Sequence, residues 1–167
     1  MESRARAMGH GIHPILIVFP LGLLATSVIF DILYLITDRA GFQISAAYTI
    51  AAGIIGGLVA AVFGLIDWSA IPAGTRAKRV GAAHGLGNVV VLVLFAVSWL
   101  LRRGADNWDP NAGALICSFA GVILAGFTGW LGGELVERLG MSVSDGAGVN
   151  APSSLRHSAG RPRTRGV

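Results

Sequence analysis

Charge and cysteine are what this 167-residue chain has least of: charged side chains make up 13% of it, and there is one cysteine, Cys117. So few charges cannot clothe a water-soluble domain when 53% of the residues are hydrophobic and the mean hydropathy is +0.67. A lone cysteine inside an apolar run excludes a disulfide framework and a cysteine-based metal motif. There is no Gly-x-Ser-x-Gly, no glycine-rich loop following a strand and no evident histidine partner for Cys117, so neither hydrolytic nor nucleotide chemistry is supported and an independent enzyme is not expected. The net charge of +4 and a pI near 10.2 raise nucleic acid as a partner. The basic residues, however, sit outside the apolar runs and lack interleaved aromatics for base stacking, which excludes it.

What the sequence has is long apolar runs. Four of them approach the roughly 20 residues that a helix needs to cross a hydrocarbon core: Pro14 to Ile36, Ala46 to Ile66, Val80 to Leu101 and Ala112 to Leu131. The first follows Arg4 and Arg6 but is too long for a signal-peptide core and lacks an Ala-x-Ala cleavage site, so it reads as a retained anchor. Short connections make sequential helices antiparallel neighbours. The expected fold is all-α, an integral membrane four-helix up-down bundle over residues 1–143, followed by a disordered basic tail over 144–167 whose role is attraction to anionic lipid headgroups.

Lysine and arginine set the orientation. Arg4, Arg6, Arg76, Lys78, Arg79, Arg138, Arg156, Arg161, Arg163 and Arg165 fall on one side, and Arg39, Arg102 and Arg103 on the other. The positive-inside rule puts the crowded side, and both termini, in the cytoplasm. Aromatics agree: Trp68 and Trp130 mark that interface, and Tyr34, Tyr48, Trp99 and Trp108 the opposite one. Small residues at spacing four, Gly53-Gly57-Ala61 and Gly56-Ala60-Gly64 in the second helix and Gly121-Ala125-Gly129-Gly133 in the fourth, let backbones approach closely. Pro20 removes a backbone donor from the first helix and is expected to kink it.

The run Gly9-His10-Gly11-Ile12-His13-Pro14-Ile15-Leu16-Ile17-Val18-Phe19-Pro20 resembles the opening of the bacterial DUF2231 family of membrane proteins. Gly64-Leu65-Ile66-Asp67-Trp68, His84 with Asn88, and Gly132-Gly133-Glu134-Leu135-Val136 fall where that family's motifs fall, so the resemblance spans about residues 9 to 143. The family's activity is undefined. Relatives joined to cytochrome c or Rieske domains imply a redox context, with other membrane or redox subunits as partners and the bacterial inner membrane as the location. A second histidine common in the family's first motif is Val18 here, so this chain cannot use it.

Independently of the resemblance, antiparallel helices bring His13, Asp67, His84 and Glu134 to one depth at the cytoplasmic side. His13 and His84 could be axial ligands of a b-type haem. Alternatively, the two imidazoles with the carboxylates of Asp67 and Glu134 could bind a transition metal. A third reading is structural: Asp67 ties down the loop between helices 2 and 3, Glu134 pairs with Arg76 or Arg79, and His84 bonds Asn88 one turn away. His10 reads as solvated at the interface, and His157 as part of the tail. Asp31 lies inside the first span, either as a proton or cation contact or as a carboxylate capped by Thr49 or Arg39. Three functions remain open: a redox or cofactor-binding subunit, a structural accessory subunit assembling through its small-residue faces, and a permeation protein using Asp31. The last lacks both a second intramembrane charge and the internal repeat common in transporters.

Overall fold

The structure is a computed structural model, and it describes residues 1–155. A two-stranded antiparallel hairpin, β1 (Arg6–Ala7) and β2 (His10–Gly11), opens the chain. Its turn is Met8-Gly9, both at positive φ, which is the backbone a two-residue hairpin turn needs and which glycine adopts without penalty. Five helices follow: α1 (Ile12–Leu16), α2 (Val18–Thr37), α3 (Ala40–Ser69), α4 (Arg76–Arg102) and α5 (Ala112–Gly133). A 3-10 turn (Asp106–Trp108) lies between α4 and α5, and a π turn (Glu134–Arg138) continues α5.

Four helical spans, Ile12–Thr37, Ala40–Ser69, Arg76–Arg102 and Ala112–Arg138, are long and apolar enough to cross a membrane. They contain the four expected runs and extend past them wherever polar residues can serve a helix end. Thr75 caps α4, its hydroxyl accepting from the Lys78 N–H at 3.1 Å, so the helix starts in the basic run that precedes the apolar one. Asn111 caps α5 in the same way through the Ala114 N–H at 2.9 Å. Asp38, in the left-handed region, ends α2 by returning its N–H to the Tyr34 carbonyl at 2.8 Å. The first span is interrupted at Ile17, between α1 and α2. Pro20 has no N–H for the Leu16 carbonyl, so the helical ladder breaks in the turn before it, as the sequence leads one to expect.

α2 packs on α3 and α4 on α5 as two antiparallel hairpins, joined mainly through α3 and α4. The end of the bundle that carries β1–β2, the α3–α4 link and the π turn is called proximal here, and the opposite end distal. Burial is inverted relative to a soluble protein. Ile55, Leu58, Leu86, Ile116 and Phe127 are exposed on the outside, while Ser27, Asp31, Ser98, Arg102, Ser118 and Thr128 are buried. Lipid solvates the apolar exterior, so what needs enclosing is whatever must hydrogen-bond. The apolar core is small: Leu24, Val28, Ile50, Val91 and Phe95. Leu24 and Phe95 fit where they do because Gly53 and Gly121 face them. A Cβ on either glycine would come within 2.7 Å and 2.8 Å, respectively, of those side chains.

Beyond α5 the chain turns back onto the N-terminal hairpin. Ser3 donates to Ser142 (2.7 Å), the terminal ammonium to the Gly140 carbonyl (2.9 Å) and Arg6 to Ser144 (3.2 Å). Ser144, the first residue of the segment expected to be a disordered tail, is thus held by Arg6 of β1. Residues 156–167, with His157 and the last four arginines, lie outside the described residues.

Candidate functional site

Two clusters of polar side chains sit inside the bundle, one toward each end. At the proximal end His13 and His84 occupy matching seats. The His13 Nδ1 is 2.8 Å from the Ala60 carbonyl of α3, and its ring lies over Gly64, one turn further on. The His84 Nδ1 is 2.8 Å from the Thr128 carbonyl of α5, and its ring lies over Gly132, again one turn further on. A carbonyl can only accept, so Nδ1 is the protonated nitrogen on both rings and Nε2 keeps the lone pair. Asn88 closes the His84 seat: its Nδ2 lies 2.9 Å from the His84 carbonyl and 3.2 Å from Nε2, and its Oδ1 accepts from Thr128 Oγ1 at 3.0 Å. The expected one-turn contact between His84 and Asn88 is thus present.

The carboxylates expected beside the histidines are engaged elsewhere. Asp67 Oδ1 accepts from the Arg4 and Ala5 N–H groups at 2.7 and 3.2 Å, so it ties down the N-terminal segment and not the α3–α4 loop. Glu134 pairs with Arg76 at 2.5 Å. Among the described residues no three His, Cys, Asp or Glu side chains converge as a metal site would require. The four-residue metal alternative of His13, His84, Asp67 and Glu134 is therefore corrected: neighbouring backbone and arginine groups reach the carboxylates first. The α3–α4 loop is held by Lys78 and Trp68, the ammonium 3.8 Å from the ring centroid and 2.8 Å from the Trp68 carbonyl. His10 is exposed, as expected.

The distal cluster is built around Asp31, which has no exposed surface. Its partner is Arg102, equally buried, in a two-pronged pair: Nη1 to Oδ1 at 2.6 Å and Nη2 to Oδ2 at 2.7 Å. Ser118 accepts from Nη2 at 3.1 Å, and Ser98 from Nε and Nη2 at 3.3 Å each. Ser98 and Ser118 are 2.7 Å apart. Capping by Thr49 or Arg39 is thus corrected. Thr49 spends its hydroxyl on the Ser45 and Ala46 carbonyls of its own helix, and Arg39 is exposed at the start of α3, so the guanidinium fork that reaches the carboxylate is that of Arg102. The expected absence of a second charge inside the bundle is corrected with it. Arg102 stands just past the end of an apolar run, which in sequence places it outside the span; Ser98 one turn earlier and Asp31 in the first span are the signals that point inward.

Shallow grooves also mark the surface, one of about 560 Å³ lined by Ile123, Gly126, Phe127 and Trp130 on the outside of α5. It contains no titratable group.

Four long apolar helices with polar groups turned inward define a multi-pass membrane protein. Over residues 9–145 the chain matches the family described as Predicted membrane protein (DUF2231), which covers most of its length, and it belongs to that family. No curated protein and no solved structure matches it.

Proposed function

We propose that this chain is a cofactor-binding membrane subunit of the bacterial inner membrane, with the proximal end in the cytoplasm and with His13 and His84 as the protein ligands of a b-type haem. The observation that carries the reading is the matched seating of the two rings. Each Nδ1–H is tied to a backbone carbonyl of the next helix, the arrangement that fixes a ligand histidine's tautomer and leaves Nε2 for a metal. Among the described residues the His13 ring is hydrogen-bonded through Nδ1, not through Nε2. His84 would release its Nε2 contact with Asn88 on binding. A haem held there would supply one-electron transfer within the membrane. The seats supply rigidity, and the lipid-facing exterior supplies the low dielectric. The sequence distribution of Lys and Arg, ten on the proximal side against Arg39 and Arg103 on the distal side once the buried Arg102 is set apart, supports the orientation.

A second reading is favoured by the Asn88 contact itself: both imidazoles act as hydrogen-bonded clamps between helices, and the protein is an accessory subunit. One experiment separates the two. Protein made with ample haem and iron and purified in detergent should show a Soret band, and His13→Ala or His84→Ala should each remove it while insertion persists. His10→Ala and His157→Ala should leave it unchanged. Absence of the band, with no stoichiometric iron, copper or zinc by metal analysis, would leave the clamp reading standing.

A further inference from the structure

The two ends of the bundle share a feature that neither cluster shows alone. Asp31 and Arg102 are 71 positions apart, and so are His13 and His84, Leu24 and Phe95, and Ser27 and Ser98. Each pair plays one part. Both histidines donate to a carbonyl of the following helix, Leu24 and Phe95 fill notches at a glycine, and Ser27 and Ser98 are fully buried. The second helices repeat with an offset of 68. The buried residues of α5, Ala114, Ser118, Gly121 and Thr128, fall on Ala46, Ile50, Gly53 and Ala60 of α3, and all four of those are buried too. Gly64 and Gly132, the seats of the two rings, obey the same offset. Spatial contacts repeat as well as sequence positions, so this is a repeat of structure. The expected absence of an internal repeat is corrected: what carries it is the recurrence of these few inward-facing pairs and of their contacts at two fixed offsets.

α2 and α4 run in the same direction, so the repeat is a parallel one with its twofold axis along the bundle. Equivalent residues meet each other only on such an axis. Asp31 and Arg102 are equivalent and in contact, so they lie on it. We infer that the four spans are two copies of one helical hairpin about a pseudo-twofold axis, and that the Asp31–Arg102 pair on the axis makes unlike hairpins pair with each other. Lipid offers no hydrophobic drive to sort one small-residue interface from another, and covalent linkage does not stop two chains from matching first hairpin to first hairpin. Such a match would bury two aspartates face to face, and the converse match two arginines. Only unlike halves bring together opposite charges, which makes the pair a device of specificity. This holds whatever the histidines bind.

The repeat also dictates how the device can be moved. Exchanging the charges (D31R/R102D) presents Arg at position 31 with Ser27, the equivalent of Ser98, but with Ile50 where Ser118 would be needed. Adding I50S and S118I moves the missing hydroxyl. Monodisperse folded protein is measured by size exclusion after detergent extraction of the full chain. D31R or R102D alone, each placing like charges on the axis, should lower it by about tenfold or more. D31R/R102D should recover part of the loss, and D31R/R102D/I50S/S118I more than the double exchange. A fourfold variant no better than the double exchange overturns the equivalence of the halves. Should neither exchanged chain fold, D31L/R102L decides, since an apolar pair replaces a buried ion pair without loss of folding. It should then distribute over several assemblies, and a single species of the wild-type mass would overturn the pairing role.

Discussion

A methyl group added at Gly64 should move one imidazole and little else. The Cβ of Gly64→Ala would lie 2.9 Å from His13 Cε1 and 3.0 Å from Nδ1, distances that real carbons do not hold. The obstructing atoms are the end of a side chain, so the ring swings away while the helix stays. The loss is the 2.8 Å bond from Nδ1 to the Ala60 carbonyl, about 1 kcal/mol. That carbonyl keeps the intrahelical bond that helical geometry gives it from residue 64, so it is not orphaned. Replacing a mid-helix glycine with alanine returns roughly the same amount, about 0.8–1 kcal/mol. Stability should therefore hardly change, while the fixed tautomer of His13 is lost. At Gly132 the corresponding approach to His84 is 3.2 Å at Cε1 and 3.6 Å at Nδ1, so the ring need give by only a few tenths of an ångström and keeps its bond. Nitrogen NMR of histidine-labelled protein in detergent reads this directly. Gly64→Ala should convert the His13 signal from the Nδ1–H form to a mixture, and Gly132→Ala should leave the His84 signal in place. An unchanged His13 signal in Gly64→Ala would refute the seat. Equal responses at the two glycines would refute the ranking by distance.

Other perturbations act elsewhere in the molecule. Asp31→Leu strands a buried guanidinium and should cost about 3–5 kcal/mol, whereas Asp31→Asn keeps one acceptor and should cost less, about 2 kcal/mol; unfolding in detergent gives the order, and a Leu variant as stable as wild type would remove the pair from the account. A reporter active only outside the cytoplasm should work when inserted between Arg103 and Asn111 and fail after Val167, and the reverse would invert the proposed orientation. Truncation after Ser144 should leave membrane-extracted yield unchanged, because the Ser142, Gly140 and Ser144 contacts to the N-terminal segment survive it. Truncation after Leu139 removes them and should expose β1–β2 to protease several-fold faster; equal cleavage rates would mean the docking holds nothing.

Hydropathy made the four spans legible, because lipid contact demands an apolar exterior whatever the interior does, and the family was legible from the motifs around His13, Asp67, His84 and Glu134. Neither could show what each interior group faces. α2 runs on for six residues past Asp31 while α4 stops at Arg102. Counting from helix ends therefore places the arginine outside, although the repeat sets the two at one depth. The histidines were legible as a pair from their positions in helices that run the same way. Their acceptors, Ala60 and Thr128, were not, because any backbone carbonyl in the facing helix has the same chemistry and only register selects one. Asp67 misled for a related reason: its partners are backbone N–H groups of Arg4 and Ala5, which carry no sequence signal.

The Asp31–Arg102 pair also bears on how the protein responds to electricity. A membrane potential does work on a displaced charge, about 2.3 kcal/mol per elementary charge per 100 mV. A single buried carboxylate in a moving helix would be a voltage lever. Joined to a guanidinium through two short hydrogen bonds, it becomes half of a neutral unit, and any motion that carries both groups together transfers no net charge. A change of membrane potential therefore does no net work on the pair when both groups move together, whereas a lone charge buried by mutation on the same axis would couple to the field.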